Sequence, residues 1–150
     1  MSISSRHVNP EGTRVFMGSI LNEDLHTALG RLMTEHGIRA GSVQIIGGIT
    51  DIEFRAFDFT AKVRRAPIIF SGALEIVSAH GHLSYLDGAP HVHLHATVTA
   101  PHSGVWGAGG HVQRAVAFAV EYIIQAFDGA ELVRQFDETT GLWIWDLPEI

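Results

Sequence analysis

Residues 90–111, PHVHLHATVTAPHSGVWGAGGH, contain the pattern on which the interpretation of this chain depends. The stretch opens with three histidines at alternate positions, His91, His93 and His95, and ends with His111 after a glycine-rich turn. Side chains two residues apart on a β-strand project from the same face of the sheet. The alternation therefore predicts imidazoles stacked on one side of a strand, with a later loop bringing His111 back to meet them.

Convergence of three of these imidazoles indicates a site for Zn²⁺ or a similar divalent ion. Neutral imidazole is the commonest side-chain ligand for such metals near neutral pH. The alternative is a row of histidines that lines a solvated sheet face or bonds to backbone groups. A His-x-His pattern alone separates the two weakly, but its combination with Gly-Gly-His at positions 109–111 favours the metal site.

Length and composition indicate one globular domain over residues 1–150. A chain of 150 residues, 46% of them hydrophobic, buries about 70% of its unfolded surface. The absence of cysteine excludes disulfides, thiolate zinc sites and cysteine nucleophiles. No apolar run reaches the ~20 residues of a membrane span, and the N-terminus lacks the apolar core of a signal peptide. We therefore expect a cytoplasmic protein that does not bind a membrane.

The charge balance is acidic, with a formal net charge of −6 when histidine is neutral. Proteins that bind nucleic acid usually carry a dense basic patch. The nearest candidate here is the short run Lys-Val-Arg-Arg at 62–65, which we interpret as a solvated loop. Nucleic acid is therefore not the expected partner.

The N-terminal half predicts a strand followed by an amphipathic helix. The strand covers 14–20, and the helix covers 23–36 with Asn22 as its N-cap and Gly37 as its C-terminal stop. Apolar residues at helical spacing form a one-sided stripe that would pack on a sheet, namely Leu25, Ala28, Leu29 and Leu32.

Short strands separated by turn residues follow this helix. They are predicted at 42–46, 51–59, 68–70, 73–80 and 82–86. A bend or bulge is expected at Ser71-Gly72, and Asp87-Gly88 predicts a hairpin turn leading into the histidine strand.

A second helix is predicted at 114–127, where Val116, Val120, Ile123 and Phe127 recur at helical spacing. Strands at 131–136 and 142–147 complete the chain, with Trp143 and Trp145 on one face of the last. Runs of consecutive strands favour an antiparallel or mixed sheet in an α+β arrangement. The apolar helix and the tryptophan face are candidate subunit interfaces, with ordinary core packing as the alternative.

The sequence resembles the PPC (plants and prokaryotes conserved) domain, in the free-standing form of bacteria and archaea, related to the domain of plant AT-hook nuclear proteins. The matching motifs are Leu-Glu-Ile-Val-Ser at 74–78, His-Leu-His at 93–95, Gly-Gly-His at 109–111 and Arg-Gln-Phe-Asp at 134–137. The resemblance spans about residues 13–147, which we take as the domain core. Glu121 falls where the family often has an acid on the helix.

The resemblance implies an α+β fold, a mainly antiparallel sheet with two helices packed on it, assembled as a homotrimer. It also implies metal ligands at His93, His95 and His111. His91 adds a third ring to the strand. The two ligands on this strand can therefore be aligned in two ways that differ by two residues. His102, in a longer loop, is either an extra ligand or an exposed histidine, and exposure is favoured. No Arg-Gly-Arg-Pro AT-hook is present, so DNA binding by this domain alone is not expected.

Three functional hypotheses follow. The first is a trimeric metal-binding domain whose zinc, or other divalent ion, holds water or a small ligand. The second is a metal-dependent hydrolase, because three protein ligands leave a position for an activated water. Glu75 and Glu121 are its first candidate bases, although Glu75 alternatively caps a strand edge and Glu121 pairs with Arg114. The third, suggested by the family label, is a DNA-binding or transcription-associated module.

Overall fold

The computed structural model describes residues 12–100 and 106–147. This part of the chain forms one helix and nine strands. In chain order they are β1 Gly12–Leu21, α1 Leu25–His36, β2 Gly41–Phe54, β3 Phe57–Asp58, β4 Val63–Arg64, β5 Ile68–Leu86, β6 Ala89–Thr99, β7 Gly107–Asp128, β8 Arg134–Asp137 and β9 Leu142–Trp145. No helix within these ranges combines the length and apolarity needed to cross a membrane.

The main sheet has five antiparallel strands in the order β1-β7-β2-β5-β6. Strand β6 also pairs with the first part of β7, from Leu94 opposite Val112 to Thr99 opposite Gly107. The sheet therefore closes on itself through β6 and β7. The expectation of a mainly antiparallel sheet is confirmed.

Helix α1 forms where the apolar stripe predicts it, but its N-cap is Asp24 rather than Asn22. The Asp24 carboxylate accepts a hydrogen bond from the Thr27 backbone N–H at 2.9 Å, which satisfies one of the free donors of the first turn. Asn22 instead adopts a left-handed φ of 51° just after β1. Gly37, with a φ of 61°, ends the helix as expected.

The prediction of a second helix is wrong, because residues 107–128 form the long strand β7. The helix-like spacing of apolar residues in this segment comes from irregular pairing between β7 and β2. The register shifts at Gly48/Ile49, Ile49/Asp51 and Glu53/Phe54. Each bulge adds a residue to one strand, so apolar residues recur at spacings other than two and imitate a helix. The many β-branched and aromatic side chains of this segment suit a strand that β1, β2 and β6 flank.

The remaining strand predictions differ mainly in where strands begin and end. The predicted strand at 42–46 is part of β2. The strand predicted at 51–59 is too long, because β2 ends at Phe54 and Phe57–Asp58 form the separate β3. The strands predicted between 68 and 86 form the continuous β5. The predicted bulge at Ser71-Gly72 is confirmed, because the residues from Ile49 to Asp51 lie opposite the longer stretch from Leu74 to Ser71. The hairpin turn at Asp87-Gly88 is confirmed as well, with positive φ at both residues.

The core lies between α1 and the closed sheet. Leu25, Leu29 and Met33 of the helix are fully buried, and the helix packs on β6 and β7. The sheet contributes a larger apolar set, whose most completely buried members include Val43, Ile45, Ile49, Ile52, Leu83, Leu94, Val98 and Ile124. Burial of each such side chain stabilises the fold by roughly 1.5–3 kcal/mol. This fixes which face of β6 points outward.

Candidate metal centre

The histidines of β6 point away from the core because their neighbours occupy it. Val92 and Leu94 are 8% and 0% exposed and face inward. Since successive side chains of a strand alternate between faces, His91, His93 and His95 lie together on the opposite face. The predicted row of imidazoles is therefore present.

Strand β7 brings His111 to this row. His111 is paired directly with His95 across the β6–β7 closure. The ring centroids of His93, His95 and His111 are separated by 5.0 to 5.5 Å, and one nitrogen from each ring lies within 4.8 Å of the others. Two separate parts of the chain thus present three imidazoles to a common point.

The spacing and chemistry of these nitrogens fit a divalent transition metal. Tetrahedral Zn–N bonds of about 2.0–2.1 Å put two ligand nitrogens about 3.4 Å apart. Since the nitrogens here lie within 4.8 Å of one another, each pair needs to close by at most about 1.4 Å. Small rotations of side chains accomplish such a change without moving the strands.

The environment of the three rings keeps them neutral, as metal ligation requires. Burial, helped by the charge of Arg134, lowers the pKa of His93 to about 3. Burial and the charge of Arg64 lower the pKa of His111 to about 4. The pKa of His95 is also lowered by burial, with a contribution from His80. All three rings therefore have a lone pair available near neutral pH.

Arg134 of β8 is buried, 8% exposed, beside this cluster. Its Nε donates to the Ser84 hydroxyl at 2.9 Å, and its Nη1 donates to the Trp143 carbonyl at 2.9 Å. Its Nη2 lies 3.3 Å from Nδ1 of His93. A guanidinium group only donates, so Nδ1 accepts and the proton of the neutral ring is on Nε2.

This hydrogen bond and a metal on His93 exclude each other. If His93 binds the ion through Nδ1, the ion takes the place of the Arg134 donor. If it binds through Nε2, the proton moves to Nδ1 and faces another donor. In both cases metal binding releases one N–H group of a buried cation.

The histidine cluster forms part of the wall of a cavity of about 830 Å³, a volume in the range of small-molecule sites. Its polar wall includes His91, Gln113 and the arginines Arg55, Arg64 and Arg134. Its apolar wall includes Phe57, Phe59, Val92 and Leu142. The site is therefore a pocket with room for a ligand beside an ion.

The other predicted site residues lie in different places. His91 lines the cavity, and its Nδ1 is buried without a hydrogen-bond partner among the described residues. It is not a member of the three-nitrogen group. His102 lies outside the described residues.

Glu75 and Glu121 are exposed and do not line the cavity. Glu75 lies within β5 between β2 and β6, so it caps no sheet edge. Glu121 lies on strand β7, not on a helix. Arg114 bonds to Asp51 at 2.8 Å rather than to Glu121.

Sequence reasoning missed the arginines of the cavity, His26 of α1 on its wall, and two further histidines that do not line it. His80 and His82 of β5 lie opposite His95 and His93 in the sheet, and the His82 ring is 5.0 Å from that of Trp145. The His-x-His spacing at 80–82 was a signal that could have placed them. No local signal in the sequence identified the arginines. Arg134, for example, contacts His93 across a separation of 41 residues in the sequence.

Comparison with known proteins agrees with this fold and site. The model of the Plants and Prokaryotes Conserved (PCC) domain, also abbreviated PPC, matches residues 9–128. A metal-containing protein from Archaeoglobus fulgidus is 27% identical, with a TM-score of 0.83 and coverage of 97% of this chain and 99% of that one. No protein with a curated description matches.

Two further solved structures are similar. A plant- and prokaryote-conserved (PPC) protein from Pyrococcus horikoshii is 25% identical, with a TM-score of 0.79 and coverage of 100% of this chain and 97% of that one. A protein from Bacteroides thetaiotaomicron, named as a candidate DNA-binding protein, is 24% identical, with a TM-score of 0.78 and coverage of 98% of both chains. The match of the family model over most of the sequence shows that this chain belongs to the Plants and Prokaryotes Conserved domain family.

Proposed function

We propose that this chain is a homotrimeric metal-binding domain that holds one divalent ion, zinc, through His93, His95 and His111. The observation that carries the proposal is the convergence of three neutral imidazole nitrogens within 4.8 Å. The metal content named for the 27% identical archaeal protein supports it. Three protein ligands leave a coordination position open to water or to a small ligand.

Ligand binding is favoured over hydrolysis at this position. A zinc ion with three histidine ligands polarises a bound ligand and lowers the pKa of a bound water. Hydrolysis also needs a base within hydrogen-bond reach, and no carboxylate of the described residues lines the cavity. The chain supplies cations and aromatic side chains instead, which hold a ligand rather than deprotonate a water.

An exposed apolar face supports self-association. Met17, Leu21 and Phe118 are 74%, 62% and 63% exposed. Ile46 of β2 and Ile123 of β7 are exposed next to them in the same sheet. Glu121, opposite Ser19 and Ile46, is an exposed charge among them. A cluster of exposed apolar side chains of this kind marks an interaction site, and a trimer of this family would cover it.

The proposal does not extend to nucleic acid. A net charge of −6 opposes approach to a phosphate backbone. The likeness to the candidate DNA-binding protein from B. thetaiotaomicron, at 24% identity, concerns the fold alone. A titration with duplex DNA near physiological salt should give no saturable binding.

Metal analysis of matched variants tests the histidine site. We expect the wild-type protein, dialysed against limiting zinc, to retain about one ion per chain, and His93→Ala to lose it. His80→Ala is the control, since His80 is an exposed histidine on the neighbouring strand, outside the three-nitrogen group. Equal zinc content in wild type and His93→Ala would refute the proposal.

Light scattering tests the assembly. Met17→Glu puts a charge in the middle of the apolar face and should shift the mass from three chains to one. Thr13→Glu, on the same strand but outside the apolar set, should leave it unchanged. A wild-type mass of a single chain would remove the trimer from the proposal and leave the metal site to be judged separately.

A further inference from the structure

The arginines of the described ranges fall into two groups that differ in their partners. Every described arginine outside the cavity pairs with a carboxylate, in the pairs Arg14–Asp128, Arg31–Glu23, Arg39–Glu131, Arg65–Asp58 and Arg114–Asp51. The three that line the cavity, Arg55, Arg64 and Arg134, have no carboxylate partner among the described residues. Among the described residues, the arginines without a carboxylate partner are therefore gathered at one place.

Each of the three cations approaches the cavity from a different element. Arg134 lies beneath it on β8, held by Ser84 and Trp143. Arg64 of β4 is near enough to His91 and His111 for its charge to act on both. Arg55 follows β2, and its backbone N–H donates to the carbonyl of His111 at 3.0 Å. Cations from three separate parts of the chain thus lie on the wall of the cavity that contains the histidine cluster.

The cavity also lacks any internal compensation for this charge. No aspartate or glutamate of the described residues lines it, and a dipositive ion on the histidines would add to the excess. Cations in a half-enclosed space need a counter-charge. Beside the polar wall, Phe57, Phe59 and Leu142 form an apolar surface suited to an organic body rather than a bare inorganic ion.

We propose that the cavity binds a small organic oxyanion, a carboxylate or a phosphate monoester with an apolar body, between its three arginines. This inference rests on the proposed function in that the oxyanion shares the cavity with the metal. It goes further by naming the chemical class of the ligand. The N–H group that Arg134 frees when metal takes His93 becomes available to the same oxyanion.

Calorimetric titration with three probes of one shape tests the class. Phenylacetate and phenyl phosphate carry the two oxyanion heads, and phenylacetamide is the neutral control. We expect at least one oxyanion to bind the metal-free protein and to bind about tenfold tighter than the amide. The tighter oxyanion identifies the head group. Equal binding of amide and oxyanions, or no binding of either oxyanion with or without zinc, would overturn the inference.

Matched arginine variants test the location. Arg64→Gln removes an exposed cation that forms no ion pair with the part of the chain that the structure describes, so the fold should be unaffected, and it should weaken oxyanion binding about tenfold. Arg39→Gln, at an exposed ion pair outside the cavity, should not change it. Unchanged affinity in Arg64→Gln together with Arg55→Gln would overturn the proposal. Measurements on His93→Ala without zinc separate this result from a failure of the metal site.

Discussion

Acidification of the metal-free protein should destabilise it through the histidines of the cavity. The pKa is lowered to about 4 for His91 and His111 and to about 3 for His93, in each case mainly by burial. An unfolded histidine titrates near 6.5. Because the folded-state pKa is the lower one, the unfolded chain binds more protons as the pH falls. The stabilisation is present above pH 6.5 and is lost progressively down to about pH 3–4.

The size of the effect follows from these values. Between pH 7 and pH 5, each histidine that stays neutral in the folded state lowers the free energy of unfolding by about 2 kcal/mol. Three would give about 6 kcal/mol, and since the rings are partly exposed to water we expect screening to leave about 3 kcal/mol.

Urea denaturation with a chelator, at fixed protein concentration, measures this difference. The variant His91→Asn/His93→Asn/His111→Asn removes the three titrating rings, so its free energy of unfolding should fall about 3 kcal/mol less than that of the wild type between pH 7 and pH 5. Gln113→Asn, at a cavity residue without an ionisable group, should retain the wild-type pH dependence. Identical pH dependence in the wild type and the triple variant would refute the reasoning, since the rings would then titrate alike in both states.

Three further outcomes are expected. Gly81→Ala should cost about 1–3 kcal/mol and weaken zinc binding, because its Cβ would lie 2.3 Å from the carbonyl oxygen of His93. Gly107→Ala, where the nearest atom is at 3.6 Å, is the control in both urea denaturation and zinc titration. Zinc at 100 times its dissociation constant should stabilise the wild type by about 2.7 kcal/mol but not His93→Ala, and a chelator should reverse the shift in Tm. Arg134→Met should lower stability by about 2–4 kcal/mol yet tighten zinc binding about tenfold, since a cation and a competing donor leave His93; weaker zinc binding in the folded variant would contradict this.

Local patterns predicted the features of the fold that depend on nearby residues. The alternation in β6, the hairpin turn at Asp87-Gly88 and the helix stopped by Gly37 follow from side-chain periodicity and backbone conformation within a few residues. Strand β7 could not be predicted this way, because its bulges are set by pairing with β2. The exchange of Asn22 for Asp24 as N-cap is a shift of two residues, the usual uncertainty at a helix end.

The cavity shows the same division between local and long-range information. Its histidines were predicted because His93 and His95 alternate on one strand and His111 follows a glycine pair. Its arginines were not predicted, because they matter for binding only in that they have no carboxylate partner among the described residues. Arg64 looked like part of a solvated charged turn, and only the arrangement of β3 and β4 puts it on the wall of the cavity. A missing carboxylate partner is a property of the folded chain and leaves no mark in the sequence around it.

The wrong prediction of a second helix left the predicted meeting of His111 with His93 and His95 intact, and the reason lies in how the sheet closes. His111 precedes the segment that was misassigned and belongs to the part of β7 that pairs with β6. The pair His95–His111 is therefore one of the contacts that close the sheet, and an ion shared by His93, His95 and His111 would tie β6 to β7 at that point. The outward face at this closure is also where β8 delivers Arg134. The return of β7 to β6 thus brings His111 to His93 and His95 whichever secondary structure is assigned to the rest of that segment, and β8 separately brings Arg134 to the same cluster.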